Sequence, residues 1–156
     1  MGSPNHDEYQ CFNCMRVFRS PVFDIAREWN RTHFEEDPPS VEIRGSVGLE
    51  CYCSRECLNV RRPVVMAAEN VPIRRPGIGS VESCAKCHGT VDMSCFHVAY
   101  LESCAEVEDG FILRTVDLDY LAVLCRRCQP YVSTAAVAET EGSSEASPAD
   151  QNGPIE

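Results

Sequence analysis

Eight of the eleven cysteines fall into two frames of nearly equal build, and no other feature restricts the fold as much. Cys11-x2-Cys14 is followed after 38 residues by Cys53-x3-Cys57, and Cys84-x2-Cys87 after 37 residues by Cys125-x2-Cys128. Two thiolates two or three residues apart can grip one metal ion from a tight turn. Two such grips on one ion close a tetrahedral four-cysteine site, the arrangement structural zinc prefers. The frames begin 73 residues apart. Each spans under fifty residues, a size at which an apolar core alone seldom suffices and a metal or disulfides help. The sequence therefore predicts two Zn²⁺ ions, one on Cys11, Cys14, Cys53 and Cys57, the other on Cys84, Cys87, Cys125 and Cys128.

A disulfide framework is the competing use of so many cysteines. The odd count and the CxxC spacing favour metal in a reducing compartment, hence an intracellular protein, cytoplasmic or nuclear. The polar, acidic start Met1–Glu8 lacks the apolar stretch of a signal peptide, and no apolar run is long enough for a membrane span.

The organisation expected is a disordered leader over 1–9, a first module over 10–62, a connection over 63–83, a second module over 84–131 and a disordered acidic tail over 132–156. The tail has almost no large apolar group, so burial cannot offset its ordering entropy. The net charge is −10, yet residues 9–62 are balanced, eight arginines against eight acids. An acidic or neutral surface repels phosphate backbones. The local exception is Arg55, Arg61, Arg62, Arg74 and Arg75, a candidate contact for nucleic acid or an acidic partner, set against the plainer reading of solvated surface arginines.

Within the first module, Ser20-Pro21 followed by Val22, Ile25, Ala26 and Trp29 reads as a capped helix, with Trp29 as core anchor. Val41, Ile43, Val47 and Leu49 alternate with polar residues and predict a half-buried strand or hairpin interrupted at Gly45 and Gly48. Ser54 can cap a short helix carrying Cys57, Leu58 and Val60 that Pro63 ends. In the second module Phe111–Leu113 and Val116 suggest a strand or hairpin, while residues 118–124 fit helix or strand. Residues 22–26 fall on 95–99 at the repeat offset, which supports an internal duplication.

Tyr52-Cys53-Ser54-Arg55-Glu56-Cys57 resembles the closing ligand segment of the MYM, FCS and TRASH treble-clef fingers, which pair an opening CxxC with an aromatic-Cys-Ser-x-x-Cys. That resemblance implies Cys11, Cys14, Cys53 and Cys57 as ligands. Cys51 competes with Cys53, whose spacing to Cys57 better suits entry into a helix. The fold expected is a small zinc-stabilised α+β chain of two tandem, pseudo-duplicated, treble-clef-like modules. Its plan is similar to that of the papillomavirus early oncoproteins, small two-module zinc proteins that act by seizing host proteins.

Cys51, Cys95 and Cys104 are surplus. His88, Cys95, His97 and Cys104 offer a third zinc set, whereas buried free thiols commonly serve as small core residues. His6 and His33 have no ligand spacing.

Three functions are in view. The first is a non-enzymatic adaptor or regulator, virus- or phage-encoded, that binds protein; closed thiolate sites leave no coordination position for a reactive water. The second is a nucleic-acid-binding regulator using the five arginines. The third is a nuclease. Val41–Gly45 with Cys53, and Leu113-Arg114 with Leu124–Cys128, resemble parts of zinc-framed HNH endonucleases of the phage endonuclease-VII type, with His33 and Asp37 as the candidate catalytic pair.

Overall fold

The computed structural model describes residues 8–130; the expected tail and most of the expected leader lie outside them. The elements in order are β1 (Tyr9–Gln10), β2 (Val17–Phe18), β3 (Val22–His33), β4 (Ser40–Tyr52), α1 (Arg55–Ala68), β5 (Val81–Ser83), β6 (Thr90–Asp92), β7 (His97–Glu108) and β8 (Phe111–Leu124). Four long strands form one antiparallel sheet in the order β4-β3-β7-β8, and the short strands pair as β1-β2 and β5-β6. The central pair, β3 and β7, joins the two halves of the chain from Val22 opposite Ala105 to Asn30 opposite His97.

The helix expected from Pro21 to Phe34 is instead β3. Val22, Ile25, Ala26 and Trp29 satisfy a helical period, but the run is also rich in β-branched and aromatic residues. Pairing on both sides decides between the two. Phe23 opposes Tyr52 on β4 and Cys104 on β7, and Ile25 opposes Glu50 and Glu102. Ser20 caps no helix; its Oγ accepts from the Val107 N–H, 87 residues away.

Side chains of a strand alternate between faces. Phe23, Ile25, Arg27 and Trp29 face α1, as shown by Arg55 over the Phe23 ring and by the Arg27–Glu69 ion pair. The core on that side holds Ile25, Tyr52, Leu58, Met66 and Tyr100, all at most 1 % exposed. Trp29 is not its anchor. It is half-buried at the margin and stacks on Phe96, ring centroids 5.9 Å apart.

Pro63 does not end α1. Pro63 and Asn59, whose carbonyl loses its helical donor there, are both exposed, so water can replace the missing N–H. The stop is Asn70, at φ 61°, the left-handed conformation that closes a Schellman cap. Its N–H reaches the Ala67 carbonyl, and the Val71 N–H reaches Met66. The start matches expectation: Ser54 Oγ accepts from the Cys57 N–H at 3.2 Å. The connection expected from residue 63 thus begins inside α1, whose Val65 and Met66 are buried.

Residues 41–49 lie in one strand that runs through Gly45 and Gly48 without the expected interruption, both glycines pairing with β3, and Val41, Ile43 and Val47 are exposed because β4 is an edge strand reaching past α1. Residues 118–124 belong to β8. Tyr9, placed in the leader by sequence, pairs with Phe18. Among the described residues no helix is long and apolar enough to cross a membrane.

Candidate metal centres

Each cluster starts from a turn between two very short strands. In the first, the Cys11 N–H donates to the Arg16 carbonyl at 2.8 Å, and the Met15 N–H returns to Cys11 at 2.9 Å. In the second, Cys84 donates to Gly89 at 2.7 Å, and His88 returns to Cys84 at 2.9 Å. Met15 and His88 both adopt the left-handed conformation, at φ 66° and 65°. Each turn is then tied to a long strand, Phe12 N–H to the Cys51 carbonyl and Ala85 N–H to Val123.

The second pair of cysteines arrives differently in the two halves. Cys53 follows β4 and Cys57 sits in the first turn of α1, whereas Cys125 and Cys128 occupy a turn directly after β8. One cluster therefore closes the end of the sheet at Val22 and Tyr52. The other closes the end at His97 and Leu124.

In both clusters the four Sγ atoms lie within 4.8 Å of one another. Cys14 and Cys53 are 3.6 Å apart, Cys53 and Cys57 3.8 Å, Cys87 and Cys125 3.6 Å. A tetrahedral ion with metal–sulfur bonds of about 2.3 Å places its ligands about 3.8 Å apart. Both groups can therefore hold a metal ion, and the spacing is consistent with zinc. Cys51 is excluded from the first cluster. Its Sγ lies 3.4 Å from the Gln10 carbonyl, and burial holds the thiol protonated by raising its pKa.

The protein favours thiolate at these sites. Burial works against the Cys11 thiolate, but N–H groups of Cys14, Cys53 and Asn13 outweigh it and bring its pKa to about 6. Cys84 is likewise brought to about 6 against burial, by N–H groups of Cys125, Cys87 and Lys86. Cys57 is lowered as well, mainly by a hydrogen bond from Ser54, and Cys125 is lowered against burial by the Cys128 N–H and the Cys87 thiol, so before an ion binds each cluster already favours thiolate. Cys53 and Cys128, partly desolvated and donating to neighbouring sulfurs, are pushed up to about 12. A divalent ion held by the four cysteines of each cluster would remove that inequality by stabilising all four thiolates.

The third cysteine–histidine set is not assembled. His88 is exposed, Cys104 is buried in the sheet, Cys95 Sγ faces Asp92 at 3.6 Å, and His97 Nδ1 lies 2.8 Å from the Cys95 carbonyl. His33 Nδ1 meets Glu35 at 3.1 Å and its Nε2 meets Glu42 at 2.9 Å, so Asp37 is not its partner.

The arginine stretch is largely engaged inside the molecule. Arg61 holds Glu50 through two bonds, at 3.0 and 2.7 Å. Arg62 donates to Glu102 at 2.6 Å; Arg55 reaches Glu102 and Asp117; Arg75 reaches Asp119 at 2.6 Å. Arg74 alone of the five makes no ion pair among the described residues. Sequence reasoning missed the acceptors. Asp117 and Asp119 alternate with Val116 and Leu118, a visible strand signal, but nothing local shows that this face meets α1.

Protein-family profiles, curated proteins and solved structures were each compared with the chain, and none matches.

Proposed function

We propose that the chain is a zinc-stabilised, non-enzymatic regulator or adaptor that acts by binding another protein, built from two duplicated modules sharing one sheet. The observation that carries this is the ribbon of β7 and β8 beyond Ala105, the last residue paired with β3. Phe111, Ile112 and Leu113 there are 75 %, 67 % and 62 % exposed, and Val116 and Leu118 are also uncovered. Apolar side chains gathered on a protruding ribbon mark an interaction surface more than a solvated one. Two closed sulfur clusters support a structural role for the metal. The matched hydrogen bonds of the two knuckles support the duplication. Arginines already spent on Glu50, Glu102, Asp117 and Asp119 weigh against the nucleic-acid reading.

The test uses zinc-loaded chain and the Ile112→Glu and Val116→Glu variants. Capture of a defined protein from the native host by wild type, lost in both variants with metal content and circular dichroism intact, is the expected result. Capture unaffected by either substitution removes the reading. Retardation of labelled DNA or RNA with steep salt dependence transfers it to nucleic acid.

A further inference from the structure

The central sheet is electrostatically one-sided. Arg27, Arg55, Arg61, Arg62 and Arg75 all form ion pairs on the α1 side. On the opposite face β3 carries Asp24 and Glu28, neither of which has a cationic partner among the described residues. Asp24 accepts from Ser103 Oγ at 2.6 Å, and Glu28 from Asn30 Nδ2 at 2.9 Å. Burial raises the pKa of both carboxyls, as expected where no cation compensates them.

Two deeply buried acceptors on the same face have no donor among the described residues. Asn30 is 0 % exposed and His97 4 %, and they oppose each other across β3 and β7. Asn30 Nδ2 is used on Glu28 and, at 3.4 Å, on the Tyr120 hydroxyl, leaving Oδ1 unpartnered. His97 Nδ1 faces a carbonyl, so it carries the proton, and Nε2 is a bare acceptor, also unpartnered. Leaving buried acceptors unpaired is costly, so a built fold retains them where something donates.

We propose that Asn30 Oδ1, His97 Nε2 and the Glu28 carboxylate form a binding site for a primary ammonium group. The stoichiometry of donors selects it. An ammonium on a carbon stem has three N–H donors and one positive charge, matching three acceptors of which one is a carboxylate. A water gives two hydrogens and leaves the Glu28 charge uncompensated. A guanidinium is a wide planar fork, unsuited to acceptors this deeply enclosed. A calcium or magnesium ion wants more oxygen ligands than one amide and one carboxylate supply. The site depends on the fold and not on the protein-binding reading above.

The experiment is NMR of the full, metal-loaded chain with ¹⁵N-labelled histidine at neutral pH. Methylammonium chloride is titrated against tetramethylammonium chloride at equal ionic strength. The expected result is a saturable shift of His97 Nε2 with methylammonium and none with tetramethylammonium, which has no donor. Glu28→Gln should raise the half-saturating concentration at least about tenfold, since it removes a charge-assisted bond. A tripeptide with a blocked N-terminus and a lysine whose side-chain ammonium is free forms a second arm. A shift there assigns the ammonium to a protein side chain; a shift with methylammonium alone assigns it to a small free amine. No saturable shift in either arm, or an equal one with tetramethylammonium, overturns the site. Should Glu28→Gln fail to fold, the contrast between the two cations on wild type decides alone.

Discussion

Cys51 and Cys53 stand two residues apart, Cys51 within β4 and Cys53 just past its end, yet only Cys53 reaches the cluster. Alternation along β4 sends Cys51 to the Gln10 carbonyl on one face, while Cys53 leaves the strand at the turn into α1. Cys14→Ser should therefore lower bound metal from two ions to one, and Cys51→Ser should leave two, as read by elemental analysis of purified protein. A second residue-level prediction concerns His33. Hydrogen bonds to Glu42 and then Glu35 hold its imidazole protonated above the ordinary 6.5. Glu42, held by His33 and Arg31, is lowered to about 2. A raised histidine favours the fold below its unfolded value and loses that contribution as pH rises through the folded one. The Glu42 contribution is present above about 4.5 and fades as pH falls toward 2. NMR titration should place the His33 midpoint above 6.5, and Glu42→Gln should move it down.

At the scale of elements, Glu102 fixes α1 and the following connection onto β7. It is 5 % exposed and is approached by Arg62, Arg55 and Arg75. Removing one partner of a buried ion pair leaves the other uncompensated. Glu102→Gln should lower stability by about 3 kcal/mol, set mainly by Arg62, since the other two arginines are well exposed and screened. Urea unfolding measures it. The cap of α1 is a smaller matter: Ser54→Ala should cost about 1 kcal/mol.

At the scale of the molecule, both halves contribute central strands to one sheet, so neither has a complete core by itself. Stripping metal with a strong chelator should unfold both halves together, because metal binding and folding share one free energy in such proteins. Fluorescence of Trp29, the only tryptophan, and hydrogen exchange of β8 amides should report one coincident transition. Two separated transitions would show modules that fold independently. For the same reason residues 80–130 alone should not fold.

Ligand grouping was legible in the sequence because chain spacing restricts which thiols can share an ion: all eight expected cysteines assemble as two sets of four. Strand β4 was legible from alternation, though not its continuity through Gly45 and Gly48, the start of β8 from its apolar run, and the Ser54 cap from local hydrogen-bond chemistry. The apolar residues of β3 fit two periods at once, so residues 22–33 read as a helix until β4 and β7 were laid beside them. The helix stop at Asn70 rather than Pro63, the arginines satisfied by carboxylates eleven to sixty-two residues away, and the facing of Asn30 with His97 share a cause. Local chemistry set the metal grips and the caps. Which faces are covered, which charges are neutralised and which acceptors are left open depend on non-local strand pairing, and only the tertiary structure decided them.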